Sequence, residues 1–172
     1  SPGEDTSTLI NRVGPRFFET MGMPMLQGRP IESQDTATSP KTVIVNQTLA
    51  NHFFPHGDAI GRRFTVGDPS VKGEWEIAGI VRDAKYNNPR DEKPRRMIYL
   101  PVMQLTDDDN YAYVLELRTA GDPVKVATAV RGAFAEIDPN LPVLQVRTIS
   151  QQVDHLMDQE KLISQLSTFF SP

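Results

Sequence analysis

Proline and glycine cut this chain into short pieces, and that punctuation constrains the fold more than any single motif. The sequence holds 14 prolines and 11 glycines in 172 residues, and many of them sit where a helix or strand must stop. Pro15 opens a helix of one to two turns carrying Phe17, Phe18 and Met21, and Gly22 closes it, as a residue at home at positive φ should. Pro55 ends a second short helix, capped by Asn46, that places Leu49, Ala50, Phe53 and Phe54 on one side. Between them run compact apolar stretches that read as strands: "LINRV" (Leu9–Val13), "MPMLQGR", "TVIVN" (Thr42–Asn46), "IGRRFTVG", "EWEIAGIVRDA" and "MIYLP" (Met97–Pro101). The segment from Pro30 to Pro40 is a polar loop.

The later part carries longer signals. "YAYVLELR" alternates, so Tyr111, Tyr113, Leu115 and Leu117 share a face. Asp122-Pro123 is a cap with proline at the first helical position. The following helix spaces Val126, Val130, Phe134 and Ile137 by four, four and three, and "DPNLP" ends it. "VLQVR" (Val143–Arg147) reads as a strand. Thr148-x-x-Gln151 is a capping-box pattern, opening a helix whose stripe runs Ile149, Val153, Leu156, Ile163 and Phe170 and widens at Leu162, Leu166 and Phe169. The order of elements is mixed α+β. Two cores are expected, dividing near Asp107–Asn110. Phe17, Phe18, Ile44, Leu49, Phe53, Trp75, Ile77 and Val81 belong to the first, and Leu115, Leu117, Val130, Phe134 and Val146 to the second.

Composition narrows the function. Net charge is −4 and the basic residues are scattered, which argues against a nucleic-acid surface. Cysteine is absent, so no thiol chemistry is available, and no apolar run approaches the ~20 residues that span a bilayer. His52 and His56 are four apart, but Pro55 breaks the helix that would align them, and no third ligand is near. Asp107-Asp108-Asp109 lacks the alternate spacing, glycine and closing glutamate of a calcium loop. Glu74 and Glu76 alternate with Trp75 and Ile77 and read as the wet face of a strand rather than a catalytic pair. Arg62, Arg63, Arg90, Lys93, Arg95 and Arg96 mix with acids as exposed loops do. No phosphate loop, dinucleotide fingerprint or nucleophile elbow is present. The expectation is a non-enzyme with no catalytic, cofactor-binding or metal residues and no cofactor.

Five stretches in order resemble one family: "VGPRFFETMGMPMLQGR" (Val13–Arg29), "VIVNQTLANHFFPHGDAIGRRF" (Val43–Phe64), "IAGIVRDAKY" (Ile77–Tyr86), "MIYLP", and "LRTAGDP…VR…IDPNLPVLQVRT" (Leu117–Thr148). The set is similar to the MacB-like periplasmic core domain of ABC transporter permeases, above all the second such domain of the large two-domain permeases. The resemblance implies an α+β fold with three parts. Residues 1–106 would be a Sabre-like mixed α/β lobe. Residues 107–148 would be the second half of a porter-like strand–helix–strand lobe, its first half lying before Ser1. Residues 149–172 would be a stalk helix leading to a transmembrane helix, both ends being cuts in a longer protein. It also implies a place on the periplasmic side of a bacterial inner membrane. The implied partners are an ABC ATPase subunit or domain, a second permease copy, and a periplasmic adaptor or export substrate. The rival expectation is a free-standing adaptor that dimerises through its last helix.

Overall fold

The computed structural model describes residues 8–66, 73–84, 93–105, 114–140, 145–152 and 154. The chain forms two compact units, Ser1–Arg118 and Thr119–Pro172; the division expected at Asp107–Asn110 lies outside the described residues.

The first unit is built on a six-stranded mixed sheet. Its elements are β1 (Leu9–Val13), α1 (Phe17–Met21), β2 (Met25–Gly28), β3 (Thr42–Asn46), α2 (Gln47–Phe53), β4 (Arg63–Thr65), β5 (Glu74–Val81) and β6 (Met97–Pro101), with a 3-10 turn at Val102–Gln104. The strand order is β1-β6-β3-β5-β2, with β4 also on β5. β1 runs parallel to β6 and β3 parallel to β5, while β6 is antiparallel to β3. Glu76 pairs with Thr42 on one side and Arg63 on the other, and Gly79 pairs with Ile44 and Gly28. Hence β4 and β2 occupy the outer edge of β5 one after the other, both antiparallel to it.

Both faces of the sheet are covered, which explains why β3 and β6 are apolar without alternation and buried at every residue. One face holds Val43, Val45, Trp75, Ile77, Ile80, Ile98 and Leu100 under Leu49 and Ala50 of α2. The other holds Ile44, Val81, Met97 and Tyr99 with Val13, Phe17, Phe18 and Met23. Tyr99 meets Phe18 edge-on at 5.0 Å between ring centroids. Ile77 and Ile80 share a face despite their odd spacing because the pairing steps from Val43↔Ile77 to Ile44↔Gly79, leaving Ala78 as a bulge. Beside the bulge Gly28 crosses β5 so closely that a Cβ on it would stand 2.1 Å from the Ala78 carbonyl oxygen, at φ +70. Only glycine fits.

The helix ends follow the sequence. Gly22 adopts φ 68, its N–H donates to the Glu19 carbonyl, and Met23 N–H donates to Phe18, the double closure of a Schellman motif. Asn46 caps α2 by accepting from Leu49 N–H. Two core expectations fail here. Phe53 is 38% exposed, because it sits in the last turn of α2 beneath the Arg96 guanidinium instead of over the sheet. Leu115 and Leu117 are 62% and 53% exposed. Val114–Thr119 belongs to no strand, and alternation tells which residues share a face without supplying a neighbour to cover it. Tyr111 and Tyr113 lie outside the described residues.

The second unit contains α3 (Pro123–Ile137), starting at the expected proline. Val130 and Phe134 are half-buried, and Val146 is exposed, so this expected core is thin among the described residues. Gln145–Arg147 are not in a strand. The capping box forms reciprocally: Thr148 N–H donates to Gln151 Oε1 at 2.9 Å and Gln151 N–H to Thr148 Oγ1 at 3.1 Å. The helix it opens is described at residues 149–152 and 154; its expected course to Phe169 and Phe170 lies outside the described residues. Among the described residues no helix is long and apolar enough to cross a membrane.

Candidate functional site

Two buried polar clusters lie at the ends of the sheet, and they are where chemistry would be sought. The first sits at the C-terminal ends of the parallel pair β3 and β5, the position where open α/β sheets often bind ligands. Asn46, fully buried, donates from Nδ2 to Asp83 Oδ1 at 2.7 Å and to the Arg95 carbonyl at 2.8 Å. Its Oδ1 accepts from Leu49 N–H at 3.1 Å and Met97 N–H at 3.0 Å. The amide thus uses its full capacity of two donated and two accepted bonds. Asp83 also takes Thr48 N–H at 2.9 Å and Thr48 Oγ1 at 2.8 Å, satisfying a further orphan donor at the start of α2. This cluster ties β3, α2, β5 and β6 together and leaves nothing of the Asn46 amide for a ligand.

The second cluster lies where the polar loop returns to β3. Asp35, 3% exposed, accepts Arg29 Nη1 and Nη2 at 2.8 Å each, Glu32 N–H at 2.8 Å and Thr42 Oγ1 at 3.5 Å. The bidentate Arg29 fork holds the Asp35 carboxyl below its ordinary range, outweighing the opposing effect of burial. Buried Gln104 finishes the work from the chain's exit after β6. Its Oε1 accepts from Thr42 N–H at 3.0 Å, and its Nε2 donates to Ser39 Oγ at 2.7 Å and the Pro40 carbonyl at 2.8 Å. A shallow hollow of about 280 Å³ opens beside Arg29, Gln34, Asp35, Ser39, Pro40 and Thr42. Its charged groups already face each other.

The residues singled out in the sequence do not assemble. His52 lies edge-on to Phe53 at 4.6 Å between ring centroids, and His56 falls beyond the end of α2, which stops at Phe53. Glu76 pairs with Arg63 across β4 and β5 at 2.8 Å, and Arg62 pairs with Asp58. Arg95 and Arg96 lend backbone carbonyls, to Asn46 and to Leu9 N–H. Arg90 and Asp107–Asp109 lie outside the described residues. Among the described residues no group of three or more His, Asp or Glu side chains could hold a metal. Among the described residues Trp75 Nε1 and Asn11 Nδ2 are buried without a hydrogen-bond partner, and the Trp75 ring lies under the Lys41 ammonium at 5.1 Å.

Sequence reasoning saw Asn46 as a helix cap and missed its other three bonds, because each partner lies 37 to 51 residues away. The signal that was available is that "VIVN", "IVRDA" and "MIYLP" are parts of the family resemblance. They meet at this one amide. The recognisable stretches are therefore joints of the scaffold.

Comparison with known proteins agrees. The sequence profile of the MacB-like periplasmic core domain matches residues 1–133. The macrolide export ATP-binding/permease protein MacB 1/2 of Paracoccus denitrificans is 24% identical over 132 residues, covering 77% of this chain and 18% of that protein. MacB of Hahella chejuensis is 29% identical over 75 residues, 43% of this chain and 11% of its own length. The chain thus spans less than a fifth of these relatives. The crystal structure of the periplasmic region of MacB from Actinobacillus actinomycetemcomitans superposes with a TM-score of 0.53 at 13% identity, over 74% of this chain and 56% of that one, which establishes the shared fold. The profile match over residues 1–133, most of its length, makes this chain a member of the MacB-like periplasmic core domain family.

Proposed function

We propose that this chain is the extracytoplasmic domain of an ABC transporter permease, without catalytic residues of its own, and that it couples cytoplasmic ATP hydrolysis to export or to engagement of a periplasmic partner. The observation that carries the reading is the family match over residues 1–133. The chemistry supports it: the two polar clusters at the sheet ends spend their hydrogen bonds on holding strands and loop together. In this reading residues 1–106 form the Sabre-like lobe, residues 107–148 half of a porter-like lobe, and residues 149–172 a stalk toward the membrane. The partners are an ABC ATPase, a second permease copy, and an adaptor or substrate on the periplasmic face of the inner membrane. The domain acts as a stiff body moved by its connections, in the manner of hinge and shear transitions.

The chain has no cysteine, so a single introduced thiol reports its side of the membrane. In the parent protein, with any cysteines outside this domain removed, Ser33→Cys in the exposed loop should react with a membrane-impermeant maleimide in cells whose outer membrane alone is permeabilised. Reaction only after the inner membrane is broken would overturn the placement. Loss of stimulated ATPase turnover on clamping the domain, with nucleotide binding retained, is the expected sign of coupling.

A further inference from the structure

The first unit ends in a contact that neither the family nor the proposed function assigns. Arg118 Nε donates to the Thr20 carbonyl oxygen at 2.8 Å, across 98 positions of sequence. That carbonyl belongs to the last turn of α1, where helix carbonyls lack intrahelical donors and the dipole favours a cation. Gly22 leaves room for the guanidinium: a Cβ there would stand 2.9 Å from Arg118 Nη2. The contact holds down a segment that faces the wrong way for burial. Leu115 and Leu117 point outward while Glu116 between them is half-buried. Glu116 is the one half-buried side chain of Val114–Leu117, two residues before Arg118, which is itself exposed and reaches α1 through its guanidinium. Nothing in the hydrophobicity of Val114–Leu117 favours that choice; the bond made by Arg118 does.

We infer that Arg118 is a latch, fastening Val114–Leu117 to the carbonyl end of α1 and fixing which face of that segment is presented. The next residues are suited to a pivot. Thr119 Oγ1 bonds the Gly121 carbonyl at 3.0 Å, Gly121 has open space around it, and α3 begins at Pro123. The first compact unit ends at Arg118 itself. A pull on the chain beyond Thr119 therefore meets the latch at the boundary of the first unit. Only this mechanical role rests on the proposed function; the latch itself is a property of the chain.

Hydrogen exchange and carboxyl NMR on the chain test it together. With Arg118→Ala the amides of 114–118 should exchange faster, by roughly fivefold for one lost solvent-exposed hydrogen bond, while those of β3, β5 and β6 keep their rates. Glu116, whose carboxyl is pushed up by burial, should titrate lower, nearer an ordinary glutamate, as it turns to water. Deleting a positive charge can only raise a carboxyl titration or leave it in place, so a downward shift separates release from electrostatics. Arg118→Lys, which keeps a donor, should fall between. Unchanged exchange at 114–118, an upward shift at Glu116, or faster exchange across all strands alike would each overturn the latch.

Discussion

The sheet of the first unit and the stretch that follows it carry similar sequence signals and meet opposite fates. "TVIVN" and "YAYVLELR" both read as strands. β3 lies between β5 and β6 with all five residues buried, whereas Leu115 and Leu117 stand in solvent. Apolar side chains are worth ~1.5–3 kcal/mol each when buried, but that gain exists only where neighbours cover them. β3 has strands on both edges and helices over both faces. Among the described residues the segment at 114–117 has Arg118 to hold it and no strand beside it.

The comparison can be broken first at Asn46. Asn46→Ala strips partners from Leu49 N–H, Met97 N–H, the Arg95 carbonyl and Asp83 at once. It should cost about 3–5 kcal/mol, since each buried group left unpaired costs ~1–3 and water recovers part. Chemical denaturation measures this; a loss under ~1 kcal/mol would show that the knot is decorative. Next comes Gly28→Ala, where the new methyl meets backbone at 2.1 Å in a positive-φ position. We expect ~3 kcal/mol, with β2 released from β5 in hydrogen exchange, from combined clash and strain.

Asp35→Asn sharpens the middle of the range. Arg29 is partly open to water, so the loss should be about 2 kcal/mol rather than the larger values of fully buried pairs. The sign of its pH dependence is fixed. The folded carboxyl lies below its ordinary value, so its stabilisation is complete above the unfolded pKa of ~3.9 and disappears as pH falls through the lowered folded value. Acid unfolding of Asp35→Asn should lose that portion of its pH dependence. The smallest effect belongs to the exposed segment: Leu115→Ser with Leu117→Ser should change the stability of this chain by no more than ~0.5 kcal/mol. The same pair in the parent permease should cost several times more, where the first half of the proposed porter-like lobe covers them. Equal and small effects in both settings would remove the reason to expect a covering element.

Local chemistry made much of this fold legible in advance. The caps at Asn46, Gly22 and Thr148 needed only side chains and backbone within three or four residues, and all three form as their spacing demands. The short strands were readable because each is a run of apolar residues between breakers. The candidate clusters were not, since Arg29–Asp35 and Thr42–Gln104 join positions 6 and 62 apart with no local trace.

What the sequence determined by itself is whatever is decided within a turn or a strand: where helices start, where they stop, and which residues share a face. Tertiary structure alone decided which faces are covered. Phe53 and Leu115 obey their local patterns and are still exposed, while Ile77 and Ile80 violate theirs and are buried because a bulge at Ala78 shifts the register. Burial is a property of the neighbours a side chain finds across the sheet, and those neighbours are chosen by pairings tens of residues apart that no window along the chain contains.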